Sequence, residues 1–112
     1  MRWDTPLQLF ERWVLEDVEV NGVRHPLTPP GLTIGRGTDA DLRINDPGVS
    51  RVHARIVVNG TGGAQQIWIE DLGSTNGIVV DGQRVRKANL TTGSRIEIGS
   101  TRVAIASPVS DV

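Results

Sequence analysis

Arg95-Ile96-Glu97-Ile98-Gly99-Ser100-Thr101-Arg102-Val103-Ala104-Ile105 decides the fold class. Ile96 and Ile98, then Val103 and Ile105, alternate with polar or small residues at period two. That spacing puts one face of each segment inside and the other outside, as in a half-buried strand. Gly99-Ser100 between the segments is a two-residue hairpin connection. Outward along the chain the same grammar repeats. Ile78-Val79-Val80 and Arg84-Val85 flank Asp81-Gly82, and Val18-Glu19-Val20 and Val23-Arg24-His25 flank Asn21-Gly22. Leu32-Thr33-Ile34 follows the break at Pro29-Pro30-Gly31. Asp41 to Ile44 is a further short strand candidate, and Asn45-Asp46-Pro47-Gly48 is a turn by composition. Val52 to Val58 ends at Asn59-Gly60, a loop that Thr61-Gly62-Gly63 extends, and Gln66 to Glu70 is rich in β-branched and aromatic residues. No window after residue 20 holds helical periodicity over three turns, so the pattern is all-β, an antiparallel sandwich or barrel.

The bulk properties exclude several classes. The 112 residues are one domain's worth of chain. There is no cysteine, hence no disulfide framework and no thiolate metal site. No apolar run approaches the roughly 18 residues that cross a bilayer, and the N-terminus lacks the pattern of a signal peptide. A cytoplasmic location is expected. Net charge is −1 and aromatics are 4% of residues, with no tyrosine. A single-strand nucleic-acid barrel needs a basic groove with stacking platforms, so that reading is disfavoured. Asp39, Asp41, Asp46 and Asp71 lack the spacing of a calcium loop, and neither a metal nor a cofactor is expected. Residues 1–11 carry Trp3, Leu7 and Phe10, with Val14 beyond, at helical spacing, and form a short helix or a docked tail. Residues 107–112 are expected to be a tail. Trp13 and Trp68 are expected in the core or covering an edge.

The loops carry the chemistry. Gly35-Arg36, then Ser50-Arg51-Val52-His53, then Gly73-Ser74-Thr75-Asn76-Gly77 stand in this order between predicted strands. The set resembles the signature of forkhead-associated (FHA) domains of bacterial type, and the resemblance covers about residues 12–106. It implies a two-sheet β-sandwich of about eleven short strands, FHA/SMAD-like, with ligand-binding loops at one end. It also implies a ligand: a phosphothreonine-containing segment of a partner protein, held extended. Residues at the positions of Arg36, Ser50 and Thr75 meet the phosphothreonine in that family, and those at Arg51 and Asn76 meet the phosphate or the peptide backbone. Gly35, Gly73 and Gly77 shape the loops, and His53 is similar to a histidine that braces them.

The residue types suit that ligand. A phosphothreonine carries about −1.5 to −2 charges and three strong acceptor oxygens. Arg36 offers a guanidinium fork, Ser50 a hydroxyl and a backbone N–H, Thr75 a hydroxyl, and Arg51 charge. Asn76 offers donor and acceptor together, which an extended peptide backbone requires. The resemblance implies a non-enzymatic, monomeric module of a larger protein, in a Ser/Thr kinase pathway. Its partner would be a kinase, a kinase-like receptor or a kinase substrate. A Ser50/His53 hydrolase is the competing enzymatic reading; it lacks a nucleophile elbow. A phosphate-independent docking domain is the other competitor. Arg84, Arg86 and Lys87 form a small basic cluster, read first as a solvated hairpin rim and second as a contact for acidic flanks of a partner. Ile78 and Val79, with Gly48, are expected to favour an aliphatic residue three places after the phosphothreonine.

Overall fold

The computed structural model describes residues 16–60 and 66–107. The expectations for residues 1–11, Trp13, Thr61–Gly63 and Pro108–Val112 lie outside them. Eleven strands are present: β1 Glu16–Val20, β2 Val23–Leu27, β3 Gly31–Gly35, β4 Leu42–Arg43, β5 Ala54–Asn59, β6 Gln66–Asp71, β7 Ile78–Val80, β8 Gln83–Val85, β9 Lys87–Leu90, β10 Arg95–Ile98 and β11 Thr101–Ala106. They form a six-stranded sheet, β2-β1-β11-β10-β7-β8, and a five-stranded sheet, β4-β3-β5-β6-β9. This is the two-sheet sandwich of about eleven strands expected from the sequence.

The two-residue turns do what their residues predict. Asn21 and Gly22 have φ of 52° and 83°, and Asp81 and Gly82 have 49° and 86°. Two successive positive φ values match the right-handed twist of the strands they join. Alternation then faces the sheets together. Ile34, Ile56 and Ile69 of one sheet and Ile78, Ile96, Ile98 and Ile105 of the other are at most 1% exposed. Burying each such side chain contributes about 1.5–3 kcal/mol.

Three features escape the sequence pattern. β2 continues through Pro26, which cannot donate to a ladder, and it can do so because β2 is an edge strand. β9 has the sequence Lys-Ala-Asn-Leu, poor in strand formers, and pairing with β6 buries its Leu90. β3 and β4 run parallel although every other pair is antiparallel. The loop between them folds back along β3 because Asp41 accepts from the Thr33 N–H at 3.0 Å and from its hydroxyl at 3.2 Å. The Thr33 hydroxyl oxygen in turn accepts from the Asp41 N–H at 2.9 Å.

Trp68 is neither core nor edge cover. It lies half-buried on the outer face of the five-stranded sheet, its indole N–H donating to Glu70 at 2.6 Å and Lys87 Nζ 5.2 Å from its ring. Arg55 also reaches Glu70, at 2.7 Å, and these contacts, that of Arg55 first, hold the carboxyl below its usual range. The β3–β4, β4–β5, β6–β7 and β10–β11 connections gather at one end of the sandwich. At the opposite end the start of β1 pairs with the finish of β11, Asp17 opposite Ala106.

Candidate functional site

The end of β3 is the platform on which the loops assemble. Past Ile34 the chain is gripped from both sides: Ile44 N–H donates to Gly35 O at 2.8 Å, Arg36 N–H to Ser50 O at 2.9 Å and Gly37 N–H to Arg51 O at 3.0 Å. This close approach explains Gly35. A Cβ there would stand 2.1 Å from the Arg51 carbonyl oxygen, an impossible contact with backbone. Gly73 and Gly77 act differently, holding φ of 79° and 75° in the β6–β7 loop, where other residues are strained.

His53 is fully buried and ties two loops together. Its Nδ1 accepts the Ser50 N–H at 2.9 Å, so that nitrogen carries no proton. Nε2 therefore carries the ring's proton and donates it to Gly77 O at 2.7 Å. This corrects two readings. The Ser50 N–H is occupied by His53 and is not a donor for a ligand. Both ring nitrogens are committed as well, so His53 is not placed to act as a base for Ser50.

The Ser50 hydroxyl oxygen accepts the Thr75 N–H at 3.1 Å, which leaves the hydroxyl hydrogen to donate outward. Arg36 fixes its Nε on Val49 O at 3.0 Å, so its two terminal nitrogens have no partner among the described residues. Asn76 Nδ2 donates to Gly48 O at 2.8 Å, which leaves the amide oxygen and the second amide hydrogen unpartnered there. The Thr75 hydroxyl and the Arg51 guanidinium are exposed and likewise without partners among the described residues. The loops thus bring Arg36, Ser50, Thr75 and Asn76 into one network, with Arg51 adjoining it. Each of the four keeps spare hydrogen-bonding capacity after its structural bond is made.

Two carboxylates hold this network from behind. Asp46, 8% exposed, accepts from Gly48 N–H, Ser100 N–H and the Thr101 hydroxyl, each at 2.8 Å. The Gly48 amide, the Thr101 hydroxyl and the Ser100 amide hold its carboxyl below the usual range, against the opposing effect of burial. Asp46 thereby ties the β4–β5 loop to the β10–β11 turn. Asp71 accepts from the N–H groups of Gly73 and Ser74 and from the Ser74 hydroxyl, whose oxygen accepts the Gly77 N–H at 2.9 Å. Asp71-x-x-Ser74 is readable as a turn motif. The turn composition of Asn45-Asp46-Pro47-Gly48 marks only the local bond to Gly48; the partners of Asp46 on the β10–β11 turn lie more than fifty residues away.

Arg84 of β8 is a further residue at the site. It donates to Asn76 O at 2.6 Å and lies over Gly77, where a Cβ would sit 3.1 Å from its Nη2. The expectation for Ile78 fails: it is fully buried in the core, so it cannot select a ligand side chain.

Residues 32–99, which span these loops, match the family model of the FHA domain. The chain belongs to the FHA domain family. It is 34% identical over 87 residues to the FHA domain-containing protein FhaB of Mycobacterium tuberculosis, covering 78% of this chain and 50% of FhaB. It spans about half the length of curated relatives it matches, FhaB and the glycogen accumulation regulator GarA of Mycolicibacterium smegmatis. Among solved structures it is similar to an FHA domain studied for phosphothreonine-dependent interactions, at 29% identity and a TM-score of 0.74, covering 86% of this chain and 99% of that one. The FhaA FHA domain complexed with the intracellular domain of Rv3910 superposes with a TM-score of 0.71 at 31% identity, covering 80% and 98%. FHA domains are phosphothreonine-peptide-binding modules, and this chain shares their fold and their loop order.

Proposed function

We propose that this FHA domain binds a phosphothreonine-containing peptide across its loop end, through Arg36, Ser50, Arg51 and Thr75 for the phosphate and Asn76 for the peptide backbone. The observation that carries the assignment is the convergence of unspent donors. Arg36 is fixed through Nε, Ser50 through its hydroxyl oxygen and Thr75 through its backbone N–H, which leaves the Arg36 terminal nitrogens and the two hydroxyl hydrogens to donate. A dianion meets donors that lose little freedom on binding, and preorganisation of that kind raises affinity. His53, with Gly35, Gly73 and Gly77, keeps those donors in place without touching the ligand. The ligand is a phosphorylated segment of a Ser/Thr kinase, a kinase-like receptor or a kinase substrate. The domain acts as a non-enzymatic, monomeric recruiting module of a larger cytoplasmic protein, with residues 12–106 as the folded unit.

Calorimetric titration with a phosphothreonine peptide and its unmodified counterpart tests the reading. Only the phosphorylated form is expected to bind. Arg36→Ala and Ser50→Ala are each expected to weaken that binding about ten- to hundredfold, since a hydrogen bond to a charged group contributes roughly 1.5–3 kcal/mol. Equal binding of both peptides would favour phosphate-independent docking instead.

A further inference from the structure

A hollow of about 400 Å³ lies on the outer face of the five-stranded sheet, at the end where β3 begins. Gly31, Val57 and Trp68 stand opposite one another across β3, β5 and β6 and share that face. Gly31 supplies no side chain, and none fits there, because a Cβ would lie 1.9 Å from the Ile56 carbonyl oxygen. The row therefore sinks between Pro30 on one side and the half-buried Val57 and Trp68 on the other. Arg55 and Glu70 form the rim in the next row. Their charges are spent on each other at 2.7 Å, and Glu70 also takes the Trp68 indole N–H at 2.6 Å. A neighbour thus meets apolar surface behind a satisfied polar rim. Among the described residues there is no other tryptophan and no phenylalanine. Trp3, Phe10 and Trp13, the remaining large aromatics of the chain, all stand in residues 1–15.

We propose that this hollow is the docking site of the chain's own N-terminal segment, residues 3–14, whose stripe Trp3, Leu7, Phe10 and Val14 covers Val57 and Trp68. The stripe has the i, i+4, i+7 spacing by which an amphipathic helix presents one apolar face, and such a face is stable only against another apolar surface. The segment is tethered nearby. Glu16 opens β1 opposite Leu27, and Gly31 follows Leu27 by four residues. At no more than about 3.6 Å per residue, with about 5.5 Å across the strand pair, Gly31 stands within about 20 Å of Glu16. Fifteen residues span about 22 Å even when wound into a helix. A tethered segment also docks at an effective concentration on the order of millimolar, so a hollow too small to hold a separate protein is sufficient for it. Gly35 and the phosphate loops lie at the other end of β3, so the docked segment leaves Arg36, Ser50 and Thr75 free. It is a cover for the scaffold, and the inference stands whatever the loops bind.

The test uses the full chain, isotopically labelled for NMR, and a variant carrying Leu7→Asp with Phe10→Asp, which breaks the stripe and leaves the sandwich sequence untouched. The amide resonances of Gly31, Val57 and Trp68 and the Trp68 indole N–H are expected to shift, and those of Arg36, Ser50 and Thr75 to stay in place. Thermal denaturation reads the same contact from both sides. Phe10→Ala is expected to lower the melting temperature by about 4–8 °C in the parent. It is expected to lower it by less than about 2 °C where Trp68→Ala or Val57→Thr has already altered the hollow, because residues in contact are not additive. Val57→Thr keeps the side chain's shape and β-branching, so it serves even where Trp68→Ala fails to fold. Unchanged resonances at the hollow overturn the proposal, as does full additivity of the melting shifts. Shifts confined to the loops overturn it too, by placing the segment at the ligand site. A melting temperature that rises with protein concentration, with dimers in sedimentation, would give the hollow to the segment of a second copy and overturn docking within one chain.

Discussion

Replacing His53 with alanine separates a brace from a ligand contact. The ring is fully buried and makes two bonds that nothing else replaces, one to the Ser50 N–H at 2.9 Å and one to Gly77 O at 2.7 Å. Each orphaned group costs about 1–3 kcal/mol, and the void left by the ring adds to that. Ser50 and Gly77 are only half-buried, so water reaches part of the way to both. The lower half of the range is therefore appropriate, about 2–4 kcal/mol in all. For a domain near this size each kcal/mol lowers the melting temperature by roughly 4–8 °C, so a drop on the order of 10 °C or more is expected. Phosphopeptide affinity should fall with it, by about tenfold, because the Ser50 hydroxyl and the Asn76-Gly77 backbone lose their common anchor. Thermal denaturation and calorimetry on the same preparation measure both quantities. A His53→Ala protein that melts within about 2 °C of the parent yet loses binding would refute the bracing argument and place the ring against the ligand.

Gly35→Ala drives a methyl into the Arg51 carbonyl oxygen, 2.1 Å away, and is expected to destabilise by about 1–3 kcal/mol and to displace the loop carrying Ser50; urea unfolding and unchanged stability decide it. Asp46 has its carboxyl pKa lowered by folding, so its stabilisation is present above the unfolded-state value near 3.8 and is lost as pH falls through the lower folded value. Asp46→Asn should therefore flatten the acid limb of stability against pH below about pH 4, and an acid limb identical to the parent's would contradict the hydrogen-bonding pattern. Phosphothreonine should bind at least about tenfold more tightly than phosphoserine in matched peptides. One methyl in a fitted pocket contributes about 1–3 kcal/mol, and β-branching stiffens the extended form. Equal affinities would mark the site as a generic anion clamp.

The sequence and the structure agree wherever the determinant is local. Asn21-Gly22, Asp81-Gly82 and Gly99-Ser100 announce their hairpins because positive φ is a property of one or two residues. The alternation of Ile96, Ile98, Val103 and Ile105 announces the buried faces for the same reason. Where the determinant is a pairing between distant segments, local reading misses it. β9 exists because β6 is beside it, and β4 turns parallel because Asp41 is clipped to Thr33. The candidate site divides in the same way. The residues of its loop network, Arg36, Ser50, Thr75 and Asn76, can be named from three short motifs. The Ser50 N–H, a free donor by residue type, is taken up by the tertiary contact with His53. Asp46 is legible only as part of a turn and Arg84 only as part of a basic cluster, because their bonds to Ser100, Thr101 and Asn76 depend on residues brought to them by the sandwich. Ile78 follows the loop in sequence but faces the core, since the strand begins with it.

The pairing of Asp17 with Ala106 has a consequence for tethering. The first strand begins and the last strand finishes at the pole opposite the loops, side by side. The domain can therefore hang from a flanking module, or be inserted within one, with its recognition end pointing outward. The separation of opposed residues in an antiparallel pair is only about 4.5–5.5 Å, so the two strand ends could be bridged by a short linker and the chain reopened at another turn. In such a circular permutant the exposed Asp81-Gly82 turn is a natural place for the new ends.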